Sequence, residues 1–169
     1  GSQSQLNATT GEFNTSLGSL SMGTGVTTGD YNVALGYEAG KSLTSGHSNI
    51  LIGWKTGDVL TTGIKNVAVG HAGDAMTTGS DNTIVGERSG SAQTIANWNS
   101  SLGENSLFTN VASSNNTAIG ASALAVMTSA TAANGNNVAV GASAGIAVTS
   151  GVQNTLIGTE AGNAITTGD

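Results

Sequence analysis

Asn32-Val33-Ala34-Leu35-Gly36 is the stretch that decides the fold, because the same five-residue block returns along the whole chain. Its copies open at Asn14, Asn32, Asn49, Asn66, Asn82, Asn99, Asn116, Asn137 and Asn154, in steps of 18, 17, 17, 16, 17, 17, 21 and 17 residues. Each block ends in Gly and carries mostly Val, Ile, Leu, Ala or Thr between. Self-similarity at a fixed period of this length is the signature of a solenoid, in which each turn of chain is one structural unit. The sequence therefore predicts an all-β parallel β-solenoid of about nine 17-residue coils.

Composition agrees with a repeat and excludes several functions. Of 169 residues, 26 are Gly, none is Pro or Cys, 8% are charged and 4% are aromatic. An unpatterned chain so rich in small polar residues would be disordered. Here the apolar residues sit at fixed offsets. The net charge of −6, with four Lys and Arg, leaves no basic stripe for nucleic acid. The absence of Cys rules out a disulfide framework and thiol chemistry. No run of about 18 apolar residues is present to span a membrane. No motif asks for a cofactor or a metal.

Counting from each Asn exposes the design. Offsets +1 and +3 hold Val33 and Leu35, Ile50 and Ile52, Val67 and Val69, and their counterparts. Period-two spacing puts them on one face of a short strand, and this face is expected to be the inner row. Gly at +4 recurs in every copy, where a Cβ would clash or φ is positive. Offset +7 is small throughout the well-aligned coils, and +8 is Gly in most, with Met22, Leu107 and Leu124 expected to reach inward. A second apolar row near +11 (Leu43, Leu60, Met76, Met127, Val148, Ile165) precedes a Thr-Thr/Ser-Gly corner. Two short strands per coil are expected, with coils about 4.8 Å apart and a rod roughly 43 Å long. The Asn column is expected to be structural, either as an amide ladder or as a turn former.

Offset +2 is apolar where a lone solenoid should be polar: Ala34, Leu51, Ala68, Ile84, Ala118, Ala139 and Leu156. On the assignment above this row faces outward. It is then expected to be the interface of a lateral oligomer, with Ala columns allowing close approach.

The middle of the chain is irregular. Residues 87–116 keep the period but lose the Thr-Thr-Gly corner, with Thr94-Ile95-Ala96-Asn97-Trp98 and Phe108-Thr109-Asn110-Val111 in its place. The coil from Asn116 to Asn137 carries about four extra residues, expected near Thr128–Asn136. Gly1-Ser2 reads as a tag remnant, and residues 3–169 as one repeat domain. The domain opens and closes mid-repeat, at Thr9-Thr10-Gly11 and Thr166-Thr167-Gly168, which suggests a fragment of a longer fibre.

These blocks resemble the head repeats of trimeric autotransporter adhesins, typified by the Yersinia adhesin head. They equally resemble the shaft repeats of phage tail fibres and of fibre-like adhesins on predatory bacteria. In that second group the coil runs Asn-Thr-Ala-Xaa-Gly-Tyr-Xaa-Ala-Gly and ends in Thr-Thr-Gly, close to Asn32–Gly40 with Thr44–Gly46. The resemblance covers nearly all of residues 9–169. It implies a left-handed parallel β-roll, three chains side by side, and a role in display or adhesion outside the cell, at a cell surface or in a virion fibre. The coil here is longer than in the autotransporter heads, and the fifth to seventh coils are degenerate.

No nucleophile–base arrangement is readable, so the chain is not expected to be an enzyme. Glu87 and Glu104 share offset +5 on adjacent coils, at a backbone spacing near that of a retaining glycosidase pair, but read best as two solvated acids. Tyr37, Trp54 and His71 occupy +5 on three consecutive coils. A planar stack there could contact sugar faces or a protein receptor, and corner packing is the plainer alternative. Trp98 and Phe108 are weaker second candidates. The expected function is a structural and adhesive fibre segment without catalysis. Two rivals remain at this point. One is an ice- or crystal-surface binder using Thr44, Thr61, Thr77, Thr149 and Thr166; the other is a glycan-hydrolysing tailspike segment.

Overall fold

Each Asn-led block forms one three-residue strand, and the strands stack in the order in which they are made. In the computed structural model, which describes residues 1–128 and 134–168, these are β1 (Thr15–Leu17), β2 (Val33–Leu35), β3 (Ile50–Ile52), β4 (Val67–Val69), β5 (Thr83–Val85), β6 (Ser100–Leu102), β7 (Thr117–Ile119), β8 (Val138–Val140) and β9 (Thr155–Ile157). All pairings are parallel, between consecutive strands, and keep offset against offset: Val33 opposite Ile50, Ala34 opposite Leu51, Leu35 opposite Ile52. The result is an all-β parallel β-solenoid of about eight turns. Among the described residues there is no helix, and so none long and apolar enough to cross a membrane. First and last strands lie about 38 Å apart at the usual strand spacing.

The expected second strand of each coil does not form. The strand stops at the +4 glycine, whose φ lies between 102° and 139° in all nine copies. The chain then turns through two left-handed residues, such as Glu38 (φ 56°) and Gly40 (φ 57°), or Lys55 (φ 54°) and Gly57 (φ 56°). Left-handed residues two apart cannot lie in an extended strand. The return side of the coil is therefore a run of turns. Its backbone groups still bond from coil to coil, as in Lys55 N–H to Tyr37 C=O at 2.8 Å and Gly40 N–H to Thr56 C=O at 3.0 Å.

The face assignment is reversed relative to the sequence expectation. Ala34, Leu51, Ala68, Ile84, Ala118 and Ala139 are wholly buried inside their own chain, and Leu156 nearly so. Offset +2 thus lines the interior, while +1 and +3 point outward and are partly or largely exposed. The seven +2 residues cannot themselves be an oligomer surface, because the rod closes over them. Met22, Leu107 and Leu124 do reach inward, with no exposed surface.

Packing explains why +2 and +8 vary together. Where +2 is large, +8 is Gly: Leu51 with Gly57, Ile84 with Gly90, Leu156 with Gly162. A Cβ on Gly57 would sit 3.2 Å from a Leu51 methyl, and one on Gly162 would meet Leu156 at 2.7 Å. In three coils where +2 is small, +8 carries the bulk: Ser16 with Met22, Ser101 with Leu107, Ala118 with Leu124. The coils with Ala34 and Gly40, and with Ala139 and Gly145, are small at both, and there Leu51 and Leu156 of the next coil fill the space. A coil this slim has room for about one large side chain at this level, and close packing demands that it be filled once. Leu107 and Leu124 hold left-handed φ values of 47° and 48° to do so.

The Asn column is a continuous buried amide ladder. Asn49 Oδ1 accepts from both the backbone N–H and the side-chain Nδ2 of Asn66, each at 3.0 Å. Asn66 Nδ2 also donates to Gly79 C=O at 2.8 Å, which ties the strand to the corner that starts the next coil. The same three bonds recur at Asn32, Asn49, Asn82 and Asn137. Side-chain pairing of this kind lets a short strand hold its register at low cost in polar burial.

The lost Thr-Thr-Gly corner keeps the bond from the Asn side chain to the corner carbonyl. Ala96 C=O accepts from Asn82 Nδ2 at 2.9 Å, as the corner glycines do elsewhere. Thr94 continues the Thr column, its hydroxyl 3.3 Å from Val111 C=O. The insertion expected near Thr128–Asn136 falls largely on residues 129–133, which lie outside the described residues. Beyond them, Ser114 and Asn134 form a parallel bridge.

Candidate functional site

The strand face and the corner are the two surfaces that carry side chains capable of recognition. The corner follows the +4 glycine, and its +5 side chains project from a tight turn, so they cannot fold back into the core. Tyr37 and Trp54 are accordingly 44% and 54% exposed. His71 is only half-buried, for a local reason. The coil that begins at Asn66 is one residue shorter, and it lacks the left-handed residue that follows +5 elsewhere. Gly70 takes a φ of 102° where its counterparts lie at 122° or more.

That missing residue prevents a planar stack. The Trp54 and His71 rings approach to 4.6 Å between centroids but are tilted by 57°. Lys55 places its ammonium 5.2 Å from the Trp54 ring centroid. The indole is therefore flanked by a cation and an imidazole, an arrangement that favours holding the ring in place.

Charges link the same corner. Glu38, buried and left-handed, accepts from Lys41 Nζ at 3.0 Å and lies 3.7 Å from Lys55 Nζ. The Lys41 hydrogen bond holds the Glu38 carboxyl below its ordinary value of 4.5, against the burial that would raise it. The neighbouring Glu38 carboxylate disfavours a phenolate beside it and pushes the Tyr37 phenol above 10.0. Partial burial pushes Asp58 above 3.8 despite Lys41 and Lys55. One coil on, His71 lies 3.3 Å from Glu87 and 3.5 Å from Asp74, whose other oxygen accepts from Ser91 at 2.8 Å. Tyr37, Trp54 and His71 thus share one charged corner, and among the described residues no pocket forms there.

The other sequence candidates lie apart from this corner. Glu87 and Glu104 are both exposed; Glu87 pairs with His71, while Glu104 accepts from Asn105 Nδ2 at 3.3 Å. Phe108 packs under the Arg88 guanidinium, 5.7 Å away. Trp98 stands exposed on the strand face. It belongs to a column at offset −1 that sequence reasoning did not single out. There Phe13 and Tyr31 form the planar stack expected elsewhere, at 5.1 Å and 7°. The signal was present in the match of Thr9–Asn14 to Thr27–Asn32, which puts both rings at the same offset.

In the Thr column, Thr44, Thr61, Thr77 and Thr149 have their hydroxyl protons committed. Thr44 donates to Thr61 C=O at 3.0 Å, Thr61 to Thr77 C=O at 3.1 Å, Thr77 to Thr94 C=O at 3.1 Å and Thr149 to Thr166 C=O at 3.1 Å. These groups form a ladder along the rod and do not present a free row of donors.

No protein-family model, curated protein or solved structure matches the chain.

Proposed function

We propose that this rod is a structural and adhesive segment of a trimeric extracellular fibre, in which three chains lie side by side as left-handed β-rolls. The observation that carries the reading is the outward face of the sheet. Offsets +1 and +3 leave Leu17, Ile50, Leu102, Ile119 and Ile157 between 38% and 71% exposed, in line along one side of the rod. Together with the −1 column the face measures about 13 Å by 38 Å at ordinary strand dimensions, with Phe13, Tyr31 and Trp98 adding to the exposed apolar side chains and Lys65 and Asp81 set among them. The interface moves from offset +2, where the sequence alone put it, to +1 and +3. The winding sense and the number of chains follow from the resemblance of the repeats. The charged aromatic corner around Trp54, which lies beyond the +4 glycine and outside the stripe, supplies the contact to a cell-surface glycan or protein.

Light scattering of the purified chain is expected to give three times the chain mass. Ile50→Glu with Val67→Glu is expected to release folded monomers, since both side chains point outward. Trp54→Ala is expected to weaken cell or glycan-array binding while the trimer persists. A well-ordered wild-type monomer would overturn the fibre reading.

A further inference from the structure

We infer that the rod is two folding modules joined by a soft polar seam between its fifth and sixth coils, and that the seam opens before either module. The apolar core is not continuous. One buried cluster runs from Met22 to Ile84, and a second from Leu107 to Leu156. Between them the row near +11, which is Leu, Met, Val or Ile in the other coils from Asn32 on, carries Gln93 and Asn110, both fully buried.

The two amides differ in what they meet. Asn110 is satisfied locally, donating to Ser113 C=O at 2.8 Å and accepting from Ser113 N–H at 3.0 Å. Gln93 is not: neither its Oε1 nor its Nε2 has a hydrogen-bond partner in the protein. Beside it the interior is hydroxylic. Ser89, Ser101 and Ser106 are buried and bonded to one another at 2.6, 2.7 and 3.1 Å. The Asn ladder thins at the same level. Asn99 N–H reaches Asn82 Oδ1 at 3.0 Å and Asn99 Nδ2 keeps its corner bond, to Ser113 C=O, but the side-chain rung from Asn99 Nδ2 to Asn82 Oδ1 is not made.

In a solenoid each coil touches only its neighbours, so stability is a sum of coil terms and interface terms. A single interface built from hydroxyls and an unpaired amide is weaker than its neighbours, and local opening concentrates where apolar contact is least. Backbone bonds cross the seam without a gap, so the sheet runs unbroken through it.

Native-state hydrogen exchange on the full chain tests this. Strand amides of β5 and β6 are expected to exchange at least tenfold faster than those of β3, β4 and β8. Gln93→Met, which restores the column, is expected to bring seam protection to within about twofold of the flanking coils. The two tryptophans give a second readout that needs no core substitution. With Trp54→Phe the remaining Trp98 reports the seam, and with Trp98→Phe the remaining Trp54 reports the first module. The Trp98 signal is expected to change at lower denaturant than the Trp54 signal. Equal exchange at the seam and in the flanking coils, with coincident tryptophan transitions, would overturn the inference.

Discussion

Replacing Asn66 by Ala removes one rung from the middle of the amide ladder, and the structure allows the cost to be counted. Asn66 is fully buried. Its Oδ1 accepts from Asn82 N–H and Asn82 Nδ2, each at 3.1 Å, and its Nδ2 donates to Asn49 Oδ1 and Gly79 C=O. After truncation Asn49 Oδ1 keeps the backbone N–H of residue 66. Asn82 Nδ2 keeps Ala96 C=O. Two groups are left without these partners: the Asn82 N–H and the Gly79 C=O. A buried orphan costs about 1–3 kcal/mol, so the expected loss for the two is about 2–6 kcal/mol. Asn66→Asp keeps the shape and both acceptor contacts but removes both donations and buries a charge, so it is expected to cost at least as much at neutral pH. Urea denaturation followed by circular dichroism measures both, with Ser48→Ala as an exposed control. A loss for Asn66→Ala within about 0.5 kcal/mol of that control would show that the ladder does not hold the coils together.

Three other perturbations follow from the same geometry. Gly53→Ala places a Cβ against the carbonyl of Gly70 at a φ of 136°, so a loss above about 3 kcal/mol, or failure to fold, is expected in the same denaturation assay. Lys65 holds a left-handed φ of 55° on the outward side, and Lys65→Asn is expected to raise stability by up to about 1 kcal/mol, read as a later urea midpoint. Glu38 has a folded-state value below 4.5, so its carboxylate stabilises the fold above that pH, and the contribution is lost as pH falls through the lowered value; the stability gap between wild type and Glu38→Gln should therefore be constant near neutrality and close on the acid side. Asp58 is raised above 3.8 and works in the opposite sense, so Asp58→Asn should gain a little at neutral pH and nothing below 3.8.

What was legible in the residues was everything that repeats. The Asn-to-Asn step fixes the coil, the one-to-one register of parallel strands and the stacking of Asn on Asn. The +4 glycine column could be foreseen as a backbone necessity, and the structure shows both reasons together, a positive φ and a neighbouring carbonyl where a Cβ would stand. The corner around Trp54 was legible as a column but not as a geometry. A single missing residue in the coil of Asn66 turns His71 out of plane, and counting offsets cannot say how a short turn redistributes its angles.

The sequence by itself determined the period, the register and which residues share a face, because a strand alternates and a solenoid repeats. Only the tertiary structure decided which of the two faces is inside. Val33, Ala34 and Leu35 are all apolar, so hydropathy does not choose between them. The choice is made by the direction in which the chain turns after the glycine, and by volume. The interior admits Ala, Leu51 or Ile84 against a matching Gly or Leu at +8, and the outside takes whatever the strand has left.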